Sequence, residues 1–304
     1  MTPPDLSALL TRWSPEPAEL TETMTAEPVV ALARVFDVEP PGTEPGDPVP
    51  PLWHWLYFLE RPAQRDLGPD GHPAAGGFLP PIPRRRRMYA GGRVSYLAPI
   101  RLGDQLTRRS ELAGWKIRPG RTGELLFVTV RHSYTRGGDL MATEEQDLVY
   151  RSAAPDAPKG AGPGRPPAAA APARTPTRPP AGAPPDPAGS WRLEVAADPV
   201  LLFRFSALTF NAHRIHYDAE YARTVEGYAG LVVHGPLLAL LCLELPRRQL
   251  PGRPVSQLSF RARSPLYAGQ TLTFSGSEQD GGCQLRVTAP DGTDAMTAEA
   301  RLGP

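Results

Sequence analysis

The sequence predicts an α+β chain built twice: two antiparallel sheets, each wrapped round a central helix, joined into one continuous sheet. Three observations predict it. A stretch made almost wholly of Ala, Pro and Gly, 152–190, divides the 304 residues into parts of 1–151 and 191–304. Both parts end in long alternating segments bounded by Gly and Asp, the pattern of antiparallel strands. Both also carry a short run that is apolar on nearly every helical face, which belongs inside a protein.

The dividing stretch holds too little apolar surface to offset its ordering entropy, so it reads as a mobile or polyproline-like linker. The strands on either side repeat in order. Pro99-Ile-Arg-Leu-Gly-Asp-Gln-Leu-Thr107 matches Pro265-Leu-Tyr-Ala-Gly-Gln-Thr-Leu-Thr273 at an offset of 166. An alternating segment precedes each block (Arg93–Leu97 and Gln257–Ala262). Leu125–Val130 then matches Leu285–Ala289, and Met-Ala-Thr-Glu at 141–144 matches Met-Thr-Ala-Glu at 296–299. Each half is expected to begin with a helix. Thr23–Phe36 carries apolar residues on a helical period, and Leu52–Glu60 and Pro236–Glu244 are the candidate central helices. Two such units can pair their sheets edge to edge and leave no long open edge at the join.

Bulk properties narrow the function. Apolar residues make up 40% and charged residues 21%, as in a soluble globular protein. No run approaches the roughly 18 apolar residues of a membrane helix. Met1–Trp13 lacks a basic start followed by an apolar block, so a cytoplasmic protein is expected. A net charge of +1 gives no general pull toward nucleic acid. Cys242 and Cys283 have no close partner and no metal-ligand spacing, so reduced thiols are expected. Of the 33 basic residues only Lys116 and Lys159 are lysines. In so Arg-rich a chain an arginine run is weaker evidence of a binding site than usual.

The chemistry concentrates in 203–244. His213 and His216 lie three apart, near one face if the backbone is helical. Asn211 precedes His216 by five, and Tyr217-Asp218 follow. Gly230-Leu-Val-Val-His-Gly235-Pro236 then leads into the apolar run. Proline is favoured at the first position of a helix, where free N–H groups and the positive dipole end can hold an anionic oxygen. The same Gly-Pro pair reads equally as a plain helix start. His216 has the side chain that moves protons near neutrality, or it is a satisfied core histidine. Asn211 and Asp218 read also as turn or capping residues. His213, His216 and His234 lack a Cys or carboxylate at a spacing that completes a metal set, so no metal is expected.

The run Ser206-Ala-Leu-Thr-Phe-Asn-Ala-His-Arg-Ile-His-Tyr-Asp218 resembles the hydratase signature of the MaoC-like family, Ser-Gly-Asp-x-Asn-Pro-Ile-His. Gly230–Pro236 resembles that family's entry to the central helix. The likeness is closer to the branch of mesaconyl-C4-CoA (3-methylfumaryl-CoA) hydratases, itaconyl-CoA hydratases and mitochondrial-type 3-hydroxyacyl-thioester dehydratases. That branch also resembles Pro83-Arg-Arg-Arg-Arg-Met-Tyr-Ala-Gly-Gly-Arg93 and Pro99–Asp104. The likeness covers about 20–151 and 191–304.

The resemblance implies a double hot-dog fold with a non-catalytic first half that shapes the acyl pocket and a catalytic second half. His216 takes the place of the catalytic histidine, and Gly235 offers the N–H that binds the thioester carbonyl. Asn211 falls where the family has its catalytic aspartate. Because an amide cannot accept a proton as a carboxylate does, His216 becomes the main acid/base and Asn211 orients water or substrate. His213 falls at the family's asparagine. The acyl pocket is expected to draw on Trp53, Trp55 and Tyr57. Arg84, Arg85, Arg86, Arg87 and Arg93 would hold coenzyme A phosphates or an acyl carboxylate, or form a solvated run. The implied reaction is hydration of an enoyl-CoA to a 3-hydroxyacyl-CoA, with a short branched dicarboxylyl thioester favoured. It needs no cofactor, coenzyme A being part of the substrate. The chain would act as a monomer or a homodimer. Other readings are a 3-hydroxyacyl-ACP dehydratase, a thioesterase, and a thioester-binding protein without turnover.

Overall fold

The computed structural model describes residues 6–82, 85–120, 123–152 and 190–303. The proposed linker at 152–190 lies outside the described residues except at its two ends. The first part contains α1 (Leu6–Leu10), β1 (Ala18–Thr23), α2 (Ala26–Val35), β2 (Arg85–Tyr96), β3 (Gln105–Gly120), β4 (Gly123–Arg136) and β5 (Asp139–Ser152). The second contains β6 (Trp191–Ala197), α3 (Pro199–Leu208), α4 (Ala219–Thr224), α5 (Gly235–Gln249), β7 (Val255–Ala262), β8 (Gln270–Gln279), β9 (Gly282–Thr288) and β10 (Asp294–Leu302).

All ten strands form one sheet in the order β1-β3-β4-β5-β2-β7-β10-β9-β8-β6. That order is symmetric about the β2–β7 join. There Gly91 faces Arg261 and Ser95 faces Gln257. The offset of 166 read from the Pro99 and Pro265 blocks carries Gly91 to Gln257 and Ser95 to Arg261. The two pairs are therefore one pair seen from either half, as a two-fold axis through the join requires. The main one of three hydrophobic clusters among the described residues runs across the join, from Met24 and Leu106 in the first half to Phe274 and Val287 in the second.

Three differences from the sequence reading bear on the site. In each half an edge strand, β1 or β6, directly precedes the helix α2 or α3, and in the first half the short α1 comes before β1. The expected helix Thr23–Phe36 is confined to Ala26–Val35, because Thr21–Thr23 pair with Gln105–Thr107. The alternative central helices also turn out unequal. Pro236–Glu244 lies inside the fifteen-residue α5, buried continuously from Leu237 to Pro246 and set against β2 and β6–β10. Each of its buried leucines contributes on the order of 2 kcal/mol. Leu52–Glu60 forms only one 3-10 turn, Trp53–Leu56, because Leu52 and Phe58 take positive φ and Tyr57 is extended. Among the described residues the first half thus has no counterpart to α5 at this run. Among the described residues no helix is long and apolar enough to cross a membrane.

Candidate active site

A cavity of about 990 Å³ opens between the 3-10 turn Trp53–Leu56 and the start of α5. Its walls include Trp55, Tyr57, Arg87 and Tyr89 from the first half and Asn211, His213, His216 and Gly235 from the second.

His216 ends the 3-10 turn Arg214–His216 and is 7% exposed. Its Nδ1 lies 2.7 Å from the Val232 carbonyl oxygen. A carbonyl only accepts, so Nδ1 carries the proton and Nε2 keeps a lone pair. The Val232 segment is itself pinned, by Val232 N–H to Ile215 O and Val233 N–H to Leu266 O. Burial pulls the His216 pKa down to about 4, against the Val232 hydrogen bond and with help from His72. The imidazole is thus a neutral base at pH 7. It stacks on His234 at 3.6 Å between ring centroids. His234 precedes Gly235 and bonds Ser206 Oγ through Nε2 at 2.9 Å. The stack therefore places the base within one residue of the tip of α5.

That tip is open for a ligand. His234 occupies the cap position without making a side-chain cap bond. Gly235 stands at the first helical position, where no intrahelical acceptor exists, and Pro236 has no N–H of its own. A Cβ on Gly235 would come 2.9 Å from Tyr89 Cδ1, so only glycine fits against that ring. The Tyr89 hydroxyl is buried with no partner among the described residues, and burial raises its pKa well above 10.0.

Asn211 uses its Oδ1 to accept the His213 N–H at 3.0 Å, a turn-forming bond. That bond fixes the amide, which can offer a ligand its N–H pair and the second lone pair of Oδ1. Phe210 before it adopts φ +51, which turns the chain out of α3. Asp218 caps α4 by accepting the Tyr221 N–H at 2.9 Å and pairs with Arg214 at 2.7 Å, which is its capping role.

The remaining expected residues divide. Trp55 lines the cavity and is held by its indole N–H on Glu144 at 2.9 Å. Glu144 is 1% exposed. Burial works against its charge, but bonds from His54 and Gln146 hold its pKa down to about 2. Tyr57 lines the cavity with its hydroxyl donated to the Thr25 carbonyl. Trp53 does not line it: its ring packs edge-on to Phe36 at 6.1 Å, in the core behind. Arg84 lies outside the described residues, as does the side chain of Arg85. Arg86 is tied to the Val225 carbonyl at 2.8 Å and to Glu226. Arg93 is not brought here either. Beyond the irregularity between Tyr89 and Gly91 it faces Glu145 and Asp147 on the opposite side of the sheet and pairs with both. Of the run's described side chains Arg87 alone lines the cavity, close enough to act electrostatically on His72, His213 and Tyr89.

His72 and Asp70 are site residues that the sequence reading missed. They sit in Gly68-Pro-Asp-Gly-His-Pro73, a turn whose Asp-x-His was the available signal. His72 Nδ1 lies 3.2 Å from Asp70 Oδ2, and the His72 ring is 4.1 Å from that of His213. Burial lowers the pKa of both histidines; Asp70 opposes this at His72, while Arg87 adds to it at each. Asp70, His72 and His213 form the one group among the described residues with the types and closeness to hold a divalent ion, with ligand atoms within 4.8 Å. The Arg87 charge acting on both imidazoles opposes a cation there.

Comparison with known proteins fits this geometry. A match to the family described as hydroxyacyl-thioester dehydratase type 2 covers residues 52–268. The mesaconyl-C(4)-CoA hydratase of Chloroflexus aurantiacus is 43% identical over 275 residues, 90% of this chain and 91% of that protein. A MaoC-like dehydratase from Phytophthora capsici superposes with a TM-score of 0.65 at 15% identity, covering 98% of this chain and 99% of that one. A Mycobacterium tuberculosis protein described as a double hotdog fold gives 0.57 at 17% identity, with 99% of each chain covered. The fold is thus a double hot-dog, as expected.

Proposed function

The chain belongs to the hydroxyacyl-thioester dehydratase type 2 family, and on that premise we propose that it adds water reversibly across the α,β-double bond of an enoyl-CoA to give a 3-hydroxyacyl-CoA. It is a hydro-lyase. The observation that carries the residue assignment is a neutral imidazole with its Nε2 lone pair free, stacked beside an uncapped helix tip in one cavity.

In hydration, His216 Nε2 takes a proton from water as the oxygen bonds to the β-carbon. The π electrons move toward the thioester oxygen, which the Gly235 N–H holds; such a donor contributes roughly 3–4 kcal/mol in the transition state. The proton on His216 then passes to the α-carbon. Water and thioester supply every atom, so the proposal includes no cofactor. Both halves of the site come from one chain, so the proposed catalytic unit is the single chain, in a cytoplasmic setting.

For the acyl group we propose a short branched dicarboxylyl thioester such as mesaconyl-C4-CoA, or itaconyl-CoA once its methylene double bond has shifted to the α,β position. Support comes from the Chloroflexus hydratase and from Arg87, a cation on the cavity wall with no carboxylate partner among the described residues. Initial rates on mesaconyl-C4-CoA, itaconyl-CoA and crotonyl-CoA, read for 3-hydroxy product, test this. The expected order places a dicarboxylyl substrate first, with Arg87→Ala raising its KM about tenfold or more and leaving crotonyl-CoA little changed. Preference for crotonyl-CoA ends the dicarboxylyl reading. His216→Ala in a folded chain is expected to lower kcat by about a hundredfold or more; survival within a few-fold removes the assignment.

A further inference from the structure

The cavity contains a second imidazole on the first half. A water molecule that attacks carbon is best held by both hydrogens, with an oxygen lone pair facing the carbon. His216 Nε2 accepts one hydrogen. Asn211 Oδ1 already accepts the His213 N–H, which fixes the amide in its turn and leaves it one lone pair. His72 offers an acceptor with no such turn bond. Its Nδ1 faces Asp70 Oδ2 at 3.2 Å, and a carboxylate only accepts, so Nδ1 carries the proton and Nε2 keeps its lone pair. His72, His213 and His216 line one cavity, with ring centroids 4.1 Å apart for the first pair and 5.4 Å for the second. Resting on the hydration reading above, we propose that His72, oriented by Asp70, is the second acceptor for the reacting water, so that the first half supplies part of the catalytic centre.

The balance closes without another reactant. One O–H bond of water breaks, its proton going to His216 Nε2 and then to the α-carbon. The other O–H survives as the product hydroxyl, hydrogen-bonded to His72. Neither histidine nor Asp70 ends the turnover with a changed proton count. Burial favours the neutral, accepting form of both imidazoles.

The loop that presents His72 is seated by its backbone. The Arg214 N–H donates to the Asp70 carbonyl at 2.9 Å and the Arg214 guanidinium to the Pro69 carbonyl at 3.0 Å. The Gly68 N–H donates to the His72 carbonyl at 2.7 Å. A change at the His72 side chain leaves these bonds available.

The test is the kinetics of the full chain with mesaconyl-C4-CoA and crotonyl-CoA. His72→Ala is expected to lower kcat by about a hundredfold with KM within about threefold. His72→Gln, whose side-chain carbonyl restores an acceptor, is expected to recover about tenfold of that loss, and Asp70→Asn to fall between. Thermal unfolding of each variant reports whether it folds, and His72→Gln decides should His72→Ala fail to fold. Full kcat in His72→Ala beside an inactive His216→Ala overturns this inference alone. So does a folded His72→Gln no faster than His72→Ala. Loss of activity on chelation with return on added Zn²⁺ overturns it in favour of a metal site. An unaltered chain that hydrates neither thioester overturns both readings together.

Discussion

His216 shows how far a single residue can be read from sequence, and where reading stops. Its place in Asn-Ala-His-Arg-Ile-His singled it out, but its tautomer and acidity come from contacts sixteen residues away, at the Val232 carbonyl. Those contacts predict an unusual pH response. Neutral His216 is the active form, so kcat/KM should stay level from pH 8 through 6.5, where an ordinary histidine titrates, and fall only as pH approaches about 4. Stability should behave differently. Above pH 6.5 the residue is neutral in both folded and unfolded chains. Between 6.5 and about 4 the unfolded chain binds a proton that the folded one refuses, so folding stability declines as pH falls through that window. For this group alone the decline reaches about 3 kcal/mol. Initial-rate profiles set beside melting temperatures check both: the melting temperature should drop from pH 6.5 downward while the rate still holds. A rate midpoint near 6.5 would mean that Nε2 is open to water and that the burial argument is wrong.

At the scale of elements, the strands were legible and the loops that build the site were not. Long alternating runs bounded by Gly and Asp reveal β3–β5 and β8–β10 because one face is buried at period two. The edge strand β1, Ala-Glu-Leu-Thr-Glu-Thr, faces little core and gives no such signal. The 3-10 turn at Trp53–Leu56 reads as a helix because apolarity reports burial, while the positive φ at Leu52 and Phe58 has no glycine to announce it. Gly71 shows what composition hides. It has φ +89, and a Cβ there would fall 1.8 Å from the Ala212 carbonyl oxygen, on the segment that carries His213 and His216. Contact between backbones leaves nothing to give way except the docking of the loop. Gly71→Ala should therefore lift the loop, cost about 1–3 kcal/mol through strain and lost contacts, and lower kcat by more than the change in folded fraction explains. Calorimetry with single-turnover rates separates the two effects. An unchanged kcat would show that the loop seated on 211–214 has no part in turnover.

The whole molecule makes the two halves one catalytic body without relying on their covalent connection. The β2–β7 ladder joins the sheets through Gly91–Ser95 and Gln257–Arg261, and the core crosses that join. Tyr89 packs on Gly235, Arg86 holds the carbonyls at Val225 and Glu226, and the Asp70 loop holds Arg214. Each contact links residues more than one hundred positions apart, so none is visible as a local pattern; the 166-residue repeat alone hinted at the symmetric join. Association through such a ladder and core resembles a domain interior cut in two, which needs no tether once formed. A specific protease site placed between Ser152 and Ser190 tests this. The cut chain should elute as one species of unchanged size under native conditions, separate into two fragments in denaturant, and retain hydration at close to the uncut rate. The second half prepared without the first should lose at least the part of kcat that His72 contributes, because its cavity then lacks Arg87, Tyr89 and the Asp70 loop. If that half alone hydrates the thioester as fast as the intact chain, the first half is a scaffold and the catalytic centre ends at the β7 edge.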